Sequence, residues 1–359
     1  MAGKADAAML DLLKTTLNNL PKGEFEVMWD YQNYPAFNMF NEKNVSIEGG
    51  DSITRNVTFD ESGNFAFVRP FETDSTIISD VQEQINVPWS LFQTSYAWNK
   101  QELLRNRSKE AYISLIKSRK VDAMKGLVNG IERAFWNGRT SATDLRRPMG
   151  ITEVLPFADA ASTTSGFVGQ TVRYSGGTTG TTFEGIDAST EAKWKSYVQV
   201  YSALDNAFLE QFTLACLDTA FFVPNIVPKP GNDKIGPVRA VYSSGANLAK
   251  LIMMMNAKDD NYTGSDLLKR QTFMNASGAI TINGMPIIHA PAMGTTYGEF
   301  YAVDWSKLQP VVQAGNWLVE STPKEKPDDH KTFVVYNDGS MNILCINRRT
   351  AGFCMHTVA

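Results

Sequence analysis

The sequence predicts an α+β fold. Residues 109–136 carry an unbroken helical period, while many shorter stretches alternate or cluster β-formers between turn residues. Helical and extended stretches interleave along all 359 residues with no repeat period. A chain of this length has room for one large domain or two modest ones with a sizeable core.

Taken in order, residues 4–20 read as a short amphipathic helix with Met9, Leu12, Leu13, Thr16 and Leu20 on one stripe, stopped by Pro21 and Gly23. Residues 24–44 are irregular but rich in rings, among them Trp29, Tyr31, Tyr34, Phe37 and Phe40, and so need a surface to lie on. Residues 52–59 alternate, with Ile53, Arg55, Val57 and Phe59 on one face. After a turn at 60–64, Phe65, Phe67, Arg69 and Phe71 form a second such face. This predicts a hairpin with a loop of about five residues. In that register Val57 faces Phe67, Phe59 faces Phe65, and Arg55 falls opposite Arg69. Like charges directly opposite are destabilising, so either an outside carboxylate sits between the arginines or another register turns them to water. Residues 81–98 look extended.

The helix of 109–136 follows, about 40 Å long, with Tyr112, Leu115, Ile116, Met124, Leu127, Ile131 and Phe135 on its apolar stripe. That stripe is expected to pack on strands of residues 333–358. A second helix is predicted over 190–212, from Trp194, Tyr197, Tyr201, Leu204, Phe208 and Phe212. Strands near 213–223 and 238–242, a helix near 246–256 and a hairpin turning at Asn283-Gly284 come next. Further strands are expected near 299–303, 309–312, 317–320, 333–337, 341–346 and 351–358, with a charged loop at 323–331.

The balance of 34 basic and 38 acidic residues gives a net charge of −4, which argues against a nucleic-acid glove. Cys216, Cys345 and Cys354 have neither metal-ligand spacing nor even pairing, and the start of the chain lacks an apolar signal segment. The apolar cluster at 248–255 is far too short to span a membrane, so a soluble cytoplasmic chain is expected. The glycine run at 176–180 lacks the Lys-Ser/Thr ending of a phosphate loop, and there is no HExxH, CxxC or GxSxG. No catalytic, cofactor or metal residues are therefore assigned.

Four phrases carry a resemblance: Pro148-Met149-Gly150-Ile151 after the long helix, Asn283-Gly284-Met285-Pro286-Ile287-Ile288, Tyr301-Ala302-Val303-Asp304-Trp305-Ser306, and Asn342-Ile343-Leu344-Cys345-Ile346-Asn347-Arg348-Arg349. In this order the chain resembles the major capsid proteins of tailed bacteriophages, with the Hong Kong 97-type fold. The resemblance implies an N-terminal arm (1–44), an extended hairpin loop (45–88), a peripheral domain with a spine helix (89–147), an axial α/β domain (148–305) and a return to the peripheral domain (306–359). It further implies a virion capsid protein, assembled in the host bacterial cytoplasm into hexamers and pentamers of an icosahedral shell around double-stranded DNA. Scaffolding, portal and possibly cement proteins would be its partners, with DNA touched non-specifically on the inner face and no membrane.

Under that resemblance the arm residues Trp29, Tyr31, Tyr34 and Phe37 would clasp a neighbouring subunit. The hairpin residues Arg55, Val57, Phe59, Phe65, Phe67 and Arg69 would meet an adjacent one. The charged segment with Lys324, Glu325, Lys326, Asp328 and Asp329 would lie where three subunits meet. Two other readings stay open: an encapsulin-like compartment, and a cytosolic enzyme with a non-local site built on His289 or His330.

Overall fold

The computed structural model describes residues 33–59, 64–65, 67–70, 82–105, 109–156, 164–221, 239–259, 281–283, 285–294 and 297–357. The helix expected at 4–20, Trp29 and Tyr31 lie outside them. The described chain enters through helix α1 (Pro35–Glu42) and strand β1 (Val45–Ile47), then forms a hairpin from β2 (Ser52–Thr58) and β3 (Gln82–Pro88). Strand β4 (Ser90–Asn99) and helix α2 (Lys100–Arg105) lead to the long helix α3 (Lys109–Asn137). Helix α4 (Ile151–Val154) is followed by β5 (Gly166–Gly169), β6 (Ser196–Tyr201), α5 (Asn206–Asp218), β7 (Arg239–Ser243), α6 (Gly245–Asp259), β8 (Met285–His289) and β9 (Phe300–Asp304). Strands β10 (Leu308–Gln313), β11 (Asp329–Cys345) and β12 (Gly352–Thr357) come last.

Two sheets result. In the first, β11 is the axis: β4 runs antiparallel to it from Ser90 opposite Met341 to Asn99 opposite Thr332, and β10 joins on its other side, followed by β1. In the second, β8, β7, β9, β12, β6 and β5 lie in that order, with β7, β8, β12 and β6 parallel. Helices α5 and α6 cover one face of this sheet through Phe208, Phe212 and Leu251. Its other face packs on the end of α3, where Phe135 stacks on Trp305 at 5.5 Å and Trp136 meets Tyr242 at 5.2 Å.

The turn out of α3 explains one phrase of the sequence. A Cβ on Gly150 would lie 2.3 Å from the Cα of Gly138, so the two backbones cross where no side chain fits. Next to the crossing, the buried Glu153 carboxylate receives the Arg139 guanidinium at 2.7 and 2.9 Å and the Arg139 and Gly150 amides.

Several elements differ from the reading of the sequence. The period of Trp194, Tyr197, Tyr201, Phe208 and Phe212 suits a helix, yet 196–201 is a strand. Val198, Val200 and two tyrosines suit a strand buried between β12 and β5, and Asp205 caps α5 by accepting from the Phe208 amide at 3.1 Å. Helix α5 therefore takes up the start of the expected 213–223 strand. The strands at 333–337 and 341–346 are one continuous β11, in which Gly339 lies under the Phe92 ring of its cross-strand partner. The segment 323–331 is not a loop: Lys324–Lys326 pairs with the start of β11. Helix α3 lies chiefly along β4, with Arg119 donating to the Ala97 carbonyl and Thr94 to that of Ala123. Strand β12 belongs to the second sheet and not beside α3.

The arm also turns inward. Phe40 is buried, edge-on to Phe135 at 6.3 Å and stacked near Trp317 at 6.5 Å, and Phe37 packs against the same core. Removing a buried phenylalanine leaves a cavity, so Phe40→Ala should cost the isolated chain roughly 3–5 kcal/mol in urea unfolding. A loss below about 1 kcal/mol would put α1 off the core. Arg348 donates to the carbonyls of Glu153, Val154 and Trp194. Arg348→Met orphans all three and should lower stability by more than about 3 kcal/mol in the same assay, and a near-neutral result would sink that reading of the joint.

Candidate inter-subunit surface

The root of the hairpin is fixed to its own chain. Ile53, Ile85 and Val87 are buried, the Trp89 indole donates to the Gly50 carbonyl at 3.1 Å, and the Asn86 amide donates to the Glu184 carbonyl at 2.9 Å. Glu184 sits at φ 54° and Gly185 at φ 87°, a tight left-handed turn against which the root rests. Phe59 lies edge-on to Trp194 at 5.5 Å, and Val57 packs on the same core.

The partner strand differs from the expectation. Strand β2 pairs with 82–88, not with 65–71, so Arg55 stands opposite Ile85 and Val57 opposite Glu83. Arg55 and Arg69 are therefore not cross-strand neighbours, and both are exposed. The alternation that suggested a five-residue turn continues through 65–71, but Gln82–Pro88 offers the longer ladder, with Ile85 and Val87 directed into the core.

Beyond the root the hairpin carries apolar surface that stands exposed. Phe65 is 83% exposed, Phe67 94% and Val68 63%, and the two rings meet edge-on at 5.1 Å. Fully burying one phenylalanine is worth about 1.5–3 kcal/mol, so this tip is a strong candidate contact.

The charged segment is largely tied to its own sheet. Lys324 pairs across from Val334 and Glu325 from Phe333. Lys100 reaches Glu325 at 2.9 Å and lies 4.9 Å over the Phe333 ring, and its hydrogen bond and charge hold Glu325 below the usual carboxylate range. Asp329 accepts from Thr332 and from the Lys331 amide. Lys324, Lys326 and Asp328 stand exposed. Nearby, Glu320 accepts from Lys120 and from Tyr96, which keeps its carboxyl low. Burial first, and then Glu320, pushes Tyr96 up to about 12.

A residue the sequence reading passed over fixes the arm. Glu132, fully buried on α3, accepts from the Phe37 amide at 3.0 Å, the Ala36 amide at 3.4 Å and the Trp136 indole at 2.6 Å. It thus satisfies the first amides of α1. Burial pushes its carboxyl up despite these donors. Pro35, opening α1, was the available signal for a helix start there.

His289, in β8, and His330, in β11, lie on different sheets, and among the described residues no three His, Cys, Asp or Glu side chains group as metal ligands. No family model and no curated protein matches the chain. Solved structures do match. The capsid asymmetric unit of cyanophage A-1(L) aligns with a TM-score of 0.57 at 12% identity, over 96% of this chain and 98% of that one. The capsid of a native GTA particle aligns at 0.53 and 11% identity over 95% of both chains. The capsid of Myoviridae phage XM1 aligns at 0.52 and 12%, over 95% of this chain and 97% of the other. The chain has the α+β fold of phage capsid proteins.

One ion pair locks α2 to α3: Arg119 forks onto Glu102 at 2.8 and 2.9 Å. Burial alone would raise the Glu102 carboxyl, but this fork and the Asn99 amide hold it below the usual range. A folded value below the unfolded one adds stability that is fully present above about pH 4.3 and is lost as pH falls through the folded value. Glu102→Gln should therefore be less stable than the parent at neutral pH. The gap should close in urea midpoints taken from about pH 6 down to about pH 3, and a constant gap would refute the linkage.

Proposed function

We propose that this chain is the major capsid protein of a tailed phage, a structural protein that self-assembles into the icosahedral shell around a double-stranded DNA genome. The observation that carries the reading is a fold shared along 95–96% of the chain with subunits of three capsids. The exposed aromatic tip supports it, because a subunit built to work alone gains nothing from two uncovered phenyl rings.

In this reading the arm (1–44), hairpin (45–88), spine-bearing peripheral part (89–147) and axial part (148–305) keep their sequence boundaries, and β12 joins the axial part. Hexamers and pentamers, scaffolding and portal proteins and non-specific DNA contact on the inner face belong to the same proposal, as do a virion location and assembly in the host cytoplasm. Trp29, Tyr31 and Tyr34 of the arm, Arg55, Phe65, Phe67 and Arg69 of the hairpin, and Lys324, Glu325, Lys326, Asp328 and Asp329 are assigned to neighbours. Phe37, Val57 and Phe59 are taken up by the chain's own core.

Purified protein, with or without a co-expressed scaffolding protein, should form closed shells of uniform size under the electron microscope. The double variant Phe65→Ser/Phe67→Ser should keep the parent's thermal midpoint and lose the shells. A discrete small oligomer under every condition would refute the reading.

A further inference from the structure

Strands β6, β7 and β12 run in one direction, so their carboxyl ends meet at one end of the second sheet. Open α/β sheets bind ligands at such ends, where loops and helix starts converge. Here they border a cavity of about 500 Å³, within the range of small-molecule sites. Tyr201, Ser202, Asn247, Lys250, Gly298 and Thr357 line it, and no carboxylate does.

Two kinds of polar group face this cavity. The first kind donates. Helix α6 brings Ala246 and Asn247 to the wall in its first turn, where backbone amides have no acceptor within the helix, and Lys250 follows. Ser244 precedes the helix and is buried, yet its hydroxyl makes no hydrogen bond, so it does not cap these amides. The second kind accepts. Asn247 is only 4% exposed, and its Nδ2 donates to the Ser243 hydroxyl at 3.1 Å and the Glu299 carbonyl at 3.3 Å. A carbonyl can only accept, so the nitrogen is fixed on that side and Oδ1 is left toward Gly298 without a donor. Gly298, at φ 59°, keeps that approach clear. A Cβ there would lie 2.7 Å from the Tyr201 hydroxyl and 3.6 Å from Asn247 Oδ1.

We propose that this cavity binds a small phosphate monoester bearing hydroxyl groups, of mononucleotide size, with its phosphate on the α6 amides and Lys250 and a hydroxyl on Asn247 Oδ1. Negative oxygens answer the amides and the ammonium. The buried Oδ1 needs a donor, which a sugar hydroxyl supplies and a phosphodiester backbone does not. The site lies within one chain and does not depend on the shell reading.

Calorimetric titration of the full chain with adenosine monophosphate should show saturable binding, with inorganic phosphate competing and adenosine not binding. Lys250 is exposed, so Lys250→Glu should keep the parent's thermal midpoint while weakening the monophosphate by roughly tenfold or more. In the parent, the Ala246 and Asn247 amide resonances should shift during the titration, which a loose ion pair with Lys250 alone would not produce. Dideoxyadenosine monophosphate should bind more weakly than the hydroxylated form, and equal affinity would overturn the role of Asn247. Adenosine binding as tightly as its monophosphate, or a short DNA duplex shifting the same amides, would overturn the proposal. So would the absence of saturable heat up to about 10 mM monophosphate.

Discussion

A buried cation sits at the joint between the two sheets. Arg348 lies in the short stretch that leaves β11 in the first sheet and enters β12 in the second. It is fully buried, and its guanidinium donates to the Val154 carbonyl at 2.8 Å, Glu153 at 3.0 Å and Trp194 at 3.1 Å, over the face of Phe183 at 4.8 Å. Burial draws its pKa down to about 10, so it is still a cation at neutral pH. A buried charge needs such partners, and the rigid planar guanidinium directs one donor from each of its three nitrogens to a separate carbonyl. The Glu184 carboxyl lies close enough to feel this charge. Its carboxyl is pushed well above the usual range by burial, although the Cys345 amide and Arg348 pull the other way.

From this joint the positions of the other parts follow. The Glu184 turn that accepts from Cys345 with its side chain also accepts from Asn86 with its backbone, so the cluster that sets the sheet-to-sheet angle also sets the hairpin root. Asn342 extends the coupling: it donates to the Pro88 carbonyl at 2.6 Å and accepts from the Met149 amide at 3.0 Å. The hairpin therefore leaves a rigid base and carries its aromatic tip away from it. Rigid support of an exposed patch lowers the ordering cost of docking, which leaves more of the burial energy for the contact itself.

Much of this was legible in the residues, for reasons that differ by element. The long helix shows because Leu127, Ile131 and Phe135 recur every fourth residue, and the Asn283 turn because a positive φ favours Asn there. The four phrases turn out to be joints: Gly150 at the backbone crossing, Asn283 at its turn, Trp305 donating to Tyr242, and Asn342 and Arg348 at the sheet junction. Tertiary pairing was not legible. The alternation at 52–59 fits 65–71 as well as it fits 82–88, and only the burial of Ile85 and Val87 chooses between them. The aromatic spacing at 194–212 suits a helix, and a strand wins over 196–201 because β12 and β5 pair along both its edges. Glu132 was hidden for a third reason: a carboxylate amid lysines and arginines on a helix reads as solvated until a second helix is seen to end on it.

How the chain divides its apolar surface constrains how copies can meet. Phe40 and the root of the hairpin are consumed internally, so little of the described arm or of the root is left to offer a neighbour. What is left sits in different places: a protruding aromatic tip, a groove on α3 and a charged hairpin at the start of β11. A projection on one copy that meets a different patch on the next makes a heterologous contact, unlike a two-fold contact about one shared patch. Such a head-to-tail contact repeats until the rotation closes a ring or the copies run on as a filament. A ring closes only when the fixed angle between projection and recess divides a full turn with no rise along the axis. That angle is set through the root of the hairpin, and hence by the buried joint of Glu184 and Arg348.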